Sequence, residues 1–158
     1  MDPVERQRAL EFAYRALDNR DRTEQELRLL LGQRKIDPDA IDAVVEELAE
    51  LGLLDDARYA ERFAEDRRLL DQWGRRRIAS DLSRRGVRRE LIDEALAGSG
   101  YADELEVAQD VLRRRYAAPF ADDSERDKAW RLLVRRGYEP ELAYVAVRRH
   151  DESLRRAA

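Results

Sequence analysis

The chain has no cysteine, a single histidine, four prolines and only two lysines among its 31 basic residues. Without cysteine there can be neither a disulfide framework nor a thiolate metal site, and nothing points to an oxidising compartment. The one histidine, His150, stands near the end of the sequence, where a solvated side chain is expected. There is no Gly-rich phosphate loop, no HExxH and no Cys/His cluster. No catalytic residue, metal ligand set or cofactor is therefore expected, and the chain does not read as an enzyme. The opening MDPVERQRAL lacks an apolar core segment, and no run approaches membrane-spanning length, so the cytoplasm is the default location and no membrane partner is expected.

What is present is charge and helix formers. Charged residues make up 42% of 158 residues, with Ala, Leu, Glu and Arg dominant and the apolar residues in periodic patterns, which predicts an ordered, all-α fold. The formal net charge of −4 hides a gradient. Residues 1–52 carry 8 basic and 13 acidic side chains, 53–100 carry 11 and 10, and 101–158 carry 12 and 12. Such a balance argues against a generic DNA-coating protein but allows a basic patch beside an acidic one.

The first helix is predicted over residues 4–20, with Leu10, Tyr14 and Leu17 on one face. Thr23 and Glu26 form a capping box for a second helix carrying Leu27, Leu30 and Leu31. Asp37-Pro38 supplies an N-cap and a first-turn proline for a third, through Ile41, Val44, Val45 and Leu48. Leu53-Leu54-Asp55-Asp56 restarts the pattern with Tyr59, Phe63 and Leu70 facing inward. A fifth helix carries Ile78 and Leu82, with Gly86 suited to a left-handed terminus. Leu91, Ile92, Ala95 and Leu96 mark a sixth. Gly98-Ser99-Gly100 is the most linker-like point. The last third holds Leu105, Ala108, Leu112 and Tyr116, then Ala129, Trp130 and Leu133 behind a weaker Ser124/Asp127 capping box, then a helix from Pro140; fraying is expected after His150.

Superposing the thirds gives an offset of 51: Leu31, Leu82 and Leu133; Ile36, Val87 and Tyr138; Ile41, Ile92 and Ala143; Val45, Leu96 and Val147. The first helix of each third is expected to need a slip of about a residue. The domain reading is three three-helix repeats, residues 4–52, 53–100 and 101–151, with a frayed tail at 152–158. Repeats of this size normally stack into an elongated array, straight or curved, with collapse of the three units into one compact bundle as the alternative.

Residues 67–89 hold nine arginines, Arg67, Arg68, Arg75, Arg76, Arg77, Arg84, Arg85, Arg88 and Arg89, against two acids, Asp71 and Asp81. Such a run is usually a solvated face of i,i+4 pairs. Here two local acids leave most guanidiniums without a local partner, which favours an anionic partner. Arg84 and Arg85 recur one period on as Arg135 and Arg136. Tyr59 and Trp73 could stack on bases but read more readily as packing. A sequence-independent single-stranded DNA-binding repeat protein is one functional reading of this pattern.

The residues Leu53-Leu54-Asp55-Asp56-Ala57-Arg58-Tyr59-Ala60-Glu61-Arg62-Phe63, followed by Arg67, Trp73-Gly74-Arg75-Arg76-Arg77-Ile78, Leu82 and Gly86-Val87, closely resemble the signature of the RecX family of recombination regulators. The opening Arg22-Thr23-Glu24-Gln25-Glu26-Leu27 and the tripling match as well. The resemblance implies a cytoplasmic, monomeric inhibitor of three tandem three-helix units. Such proteins lie in the groove of the RecA filament, touch RecA and the DNA within it, and suppress ATP hydrolysis, strand exchange and the coprotease activity behind the SOS response, without a cofactor. Carried onto this chain, Asp55, Asp56, Tyr59, Phe63, Trp73, Gly74 and Ile78 build the signature and are mainly structural. Arg67, Arg75, Arg76 and Arg77 accompany it as basic contacts.

Overall fold

The computed structural model describes residues 2–158. Among these the structure is all-helical, without a strand: α1 (Pro3–Asn19), α2 (Glu24–Gln33), α3 (Pro38–Glu50), α4 (Asp56–Leu70), α5 (Arg75–Arg84), α6 (Arg89–Leu96), α7 (Tyr101–Arg115), α8 (Asp123–Arg135) and α9 (Pro140–Ala157). No described helix is long and apolar enough to cross a membrane.

The helix starts follow from local chemistry. Thr23 and Glu26 make the reciprocal capping box, Asp37 caps α3 ahead of Pro38, and Pro140 opens α9. The start of α8 differs from the sequence reading. Asp122, not Ser124, is the N-cap, and its carboxylate accepts the Glu125 N–H at 2.9 Å.

The described residues form two compact units: those up to Arg62 together with Leu82–Ile92, and Phe63–Asp81 together with Asp93–Ala158. The first is built on Ala9, Ala13, Leu27, Leu31, Val44 and Leu48, the second on Leu105, Ala108, Leu112, Leu133, Tyr138 and Ala146. A fully buried leucine contributes about 1.5–3 kcal/mol. The inward stripe of α1 is Ala9, Ala13 and Ala16, whereas Tyr14 is exposed and Leu10 and Leu17 are only partly covered. Similarly Ala60 and Ala64 are buried on α4 and Leu70 is exposed. Small residues allow close approach of backbones, so the larger side chains fall at the margins.

Burial also corrects the expected slip. Ala9 and Ala13 match Ala60 and Ala64 at an offset of 51, and all four are buried. Only α7 departs: its buried Ala108 and Leu112 match Ala60 and Ala64 at an offset of 48. The three residues are absorbed at the start of α8, which has 13 residues where α2 and α5 have 10.

Each unit contains one joint, and the two joints are related by the same period. In the first, Thr23 Oγ1 donates to the Arg85 carbonyl at 2.6 Å, and the Glu24 N–H donates to Asp56 Oδ1 at 3.0 Å. Gly86, at φ +86°, lies against the Gln25 side chain. In the second, the Gly74 N–H donates to the Arg136 carbonyl at 2.7 Å and the Arg76 N–H to the Gly137 carbonyl at 3.1 Å. Gly137 has φ +103°, and a Cβ on Gly74 would sit 2.5 Å from its carbonyl carbon. Thr23 and Gly74, Arg85 and Arg136, and Gly86 and Gly137 are all 51 apart. The corresponding carbonyl in the first repeat, that of Arg34, accepts from the Arg8 guanidinium at 3.2 Å, and Lys35 holds the left-handed position at φ +59°.

Three expectations from the sequence fail. Ser99 is buried and its carbonyl accepts from the Arg75 guanidinium at 2.9 Å, so the Gly98–Gly100 stretch is held in place. Helix α9 continues to Ala157 instead of fraying, because its last turns close over the loop before α8. His150 is buried, not solvated, with Nε2 at 3.0 Å from the Tyr116 carbonyl and its ring against Phe120. Asp151 accepts the Phe120 N–H at 3.0 Å and pairs with Arg126 and Arg155. Arg155 donates to the Phe120 carbonyl at 2.8 Å.

Candidate functional site

The arginine run is divided between the units: Arg84, Arg85, Arg88 and Arg89 belong to the first, and Arg67, Arg68, Arg75, Arg76 and Arg77, with Arg135 and Arg136, to the second. In the second unit the break between α4 and α5 places Trp73 edge-to-face on Phe63, ring centroids 6.3 Å apart. The Arg77 guanidinium lies 3.9 Å from the Trp73 ring centroid, and Arg67 lies 5.8 Å from the same ring and 5.7 Å from Phe63. Each such contact contributes about 0.5–2 kcal/mol, depending on desolvation. Arg67 also pairs with Asp71 at 2.6 Å.

The triplet Arg75–Arg77 has three kinds of partner. Arg75 uses its guanidinium on Ser99 and its backbone N–H on Glu104 Oε1, at 2.7 Å. Arg76 pairs with Glu139 at 2.8 Å, and Arg77 stacks on Trp73. Arg136 donates to the Asp71 carbonyl at 3.1 Å, and the buried Tyr138 hydroxyl donates to the Gln72 carbonyl at 2.7 Å. Burial pushes the Glu104 carboxyl above its usual range, opposed by the Arg75 N–H bond and the charges of Arg75 and Arg68.

In the first unit Arg85 donates to the Tyr59 hydroxyl at 2.8 Å and lies 3.9 Å from Glu26. Burial raises Glu26, but hydrogen bonds from Arg20 and the Thr23 N–H, with the Arg20 and Arg85 charges, carry it below the ordinary carboxylate value. Arg84 and Arg89 are exposed and also interact with neighbours. The sequence expectation that most of these guanidiniums lack partners is thus corrected. The acids come from other helices and loops, Glu26 on α2 and Glu139 ahead of α9, too far along the chain for a local count to find.

Three of the arginines make no side-chain hydrogen bond, ion pair or ring contact among the described residues: the exposed Arg88 and Arg135 and the half-buried Arg68. The signature residues hold structure. Asp55 caps α4 by accepting the Arg58 N–H at 3.0 Å, Asp56 accepts from Glu24, Tyr59 accepts from Arg85, Phe63 and Trp73 pack together, Gly74 makes the close approach and Ile78 is buried. No group of three or more metal-ligating side chains occurs among the described residues.

Tandem three-helix repeats, joined at a fixed period and carrying arginines at the joints, define a helical-repeat protein. Residues 9–48 match the family model described as RecX, first three-helix domain, and residues 55–96 that of RecX, second three-helix domain. The chain belongs to the RecX family of regulatory proteins. It is 38% identical over 149 residues to the regulatory protein RecX of Mycolicibacterium vanbaalenii, covering 89% of this chain and 81% of that one. To the regulatory protein RecX of Halorhodospira halophila it is 39% identical over 141 residues, covering 89% and 86%. The crystal structure of RecX from Lactobacillus salivarius shares the fold, with a TM-score of 0.82 at 20% identity over 94% of this chain and 98% of that one.

Proposed function

We propose that this protein binds the RecA nucleoprotein filament in its groove and inhibits RecA ATP hydrolysis, strand exchange and coprotease activity, and so tunes DNA repair and the SOS response. It acts in the cytoplasm as a monomer, without a cofactor and without catalysing a reaction. Family membership supports RecA as the target. The observation that carries the contact is the presence of Arg88 and Arg135, exposed and without an ion pair among the described residues, beside arginines already committed to structure. Exposed cations of this kind meet phosphate or acidic protein surface without first breaking an internal pair. In the first unit Arg84 and Arg89 extend the basic surface around Arg88 and Arg85 mainly holds structure; in the second Arg68 accompanies Arg135, while Arg67, Arg75, Arg76, Arg77 and Arg136 mainly hold structure.

The test is RecA ATP turnover on single-stranded DNA with the protein added in increasing amounts. Inhibition at stoichiometric protein is expected, and Arg88→Gln with Arg135→Gln should weaken it several-fold at unchanged thermal stability. Undiminished turnover at stoichiometric protein overturns the reading.

A further inference from the structure

A second group of arginines, outside the run, meets in the first repeat. Arg15 on α1, Arg22 in the loop before α2 and Arg34 at the end of α2 line one cavity of about 290 Å³ together with Phe12, Ala16, Asn19 and Leu30. None of the three makes an ion pair among the described residues. The acids nearby are turned to other cations: Glu5 to Arg8, Asp21 to Arg62 at 3.4 Å, and Glu26 to Arg20 at 2.9 Å. Asp18, next to Asn19 in the chain, forms no ion pair with them.

Two of the three guanidiniums are held before any ligand arrives. Arg22 donates its Nε–H to the Ala16 carbonyl at 3.0 Å, which fixes its plane and leaves both terminal nitrogens available. Arg34 lies over the Phe12 ring at 5.0 Å, with Arg8 over the same ring at 5.6 Å. The ring therefore serves as a seat for cations and is not a free stacking surface for a base. The cavity wall thus combines three arginines and Asn19, which can donate to an anion, with the apolar Ala16 and Leu30.

We propose that this cavity is a binding site for a phosphate group. Two forked guanidiniums already saturate the two oxygens of a planar carboxylate, whereas three arginines from different elements lining one cavity suit a tetrahedral anion with more oxygens and more charge. The volume admits one phosphate with part of its substituent, either a free nucleotide or one link of a flexible single strand. The site uses repeat 1 alone and stands whether or not RecA is the partner, so it is tested without RecA.

The experiment titrates the full-length protein with inorganic phosphate, with a nucleoside 5′-monophosphate and with a short single-stranded oligonucleotide, following the arginine side-chain N–H signals by NMR. Saturable shifts in the signals of Arg15, Arg22 and Arg34 are expected. Arg15→Gln, at an exposed position that makes no fold contact, should weaken binding about ten-fold. Arg28→Gln removes the same charge from an ion pair elsewhere on the repeat and should leave binding unchanged. Competition between nucleotide and oligonucleotide identifies the strand as a source of the phosphate; nucleotide binding without competition identifies the free nucleotide. If the strand is the source, Arg15→Gln should also flatten the log–log salt dependence of strand binding by about 0.7, the share of one phosphate contact. Absence of saturable shifts, or equal effects of Arg15→Gln and Arg28→Gln, overturns the proposal.

Discussion

The two joints occupy equivalent places and solve the same packing problem with different chemistry. At Thr23–Arg85 the donor is a side-chain hydroxyl, and the glycine opposite meets the side chain of Gln25. At Gly74–Arg136 the donor is a backbone N–H, and glycine meets glycine. What the period conserves is therefore the carbonyl acceptor and the left-handed glycine beside it, not the donor. A joint made partly from side chains can relax further when one atom is added than one made from backbone alone.

That contrast can be broken most forcefully at Gly74. Gly74→Ala would place a Cβ 2.5 Å from the Gly137 carbonyl carbon and oxygen and 2.6 Å from the Tyr138 nitrogen. A loss of about 3 kcal/mol or more is expected in urea unfolding, since no side-chain rotation relieves the overlap. Gly86→Ala meets the Oε1 and Cδ of Gln25, which can swing aside, and its Cβ, which cannot, and does so at a positive φ; it should cost about 2 kcal/mol, less than Gly74→Ala. Adding Gln25→Ala should recover part of the Gly86→Ala loss. An equal loss at Gly74 and Gly86, or no recovery in the double variant, would mean that the two joints are mechanically alike.

The smallest effects concern the carboxylate near each joint. Glu26 is held below the ordinary value of 4.5, so its contribution is present above that value and is lost as pH falls through the lowered one. Glu104 is held above its ordinary value, so its contribution is present at low pH and is lost as pH rises through the raised one. Near neutral pH, Glu26→Gln should therefore destabilise the chain, while Glu104→Gln should be neutral or stabilise it by less than about 1 kcal/mol. Thermal unfolding of both variants at pH 4 and pH 7 reads the two signs; matching signs would remove the distinction.

Much of the fold is legible because its signals are local. Thr23 with Glu26, Asp37 before Pro38, and Gly86 at a helix end each act within a turn of their own position. The stripe of α1 was hidden for the opposite reason: Leu10 and Tyr14 outweigh Ala9 and Ala13 on any scale of hydrophobicity, yet close helix approach selects the smaller residues. The end of α9 looks like a solvated charged tail until Asp151 and Arg155 are seen against Phe120, 31 and 35 residues earlier. The arginine surface was legible in its composition but not in its pairing. Arg76 finds Glu139 63 residues away, and the backbone N–H of Arg75 finds Glu104 29 residues away, separations that no charge pattern reports.

The lengthened α8 has a consequence for how such a protein can be altered. Three added helical residues advance the axis by roughly 4.5 Å and turn it by most of a revolution. Grafting the first module in place of the second keeps every inward position in phase, whereas grafting either in place of the third shifts one helix by three places against the other two. Phase alone therefore allows exchange only between the first two modules, and there the joint still limits it, because Thr23 would fall where Gly74 has no room for a Cβ.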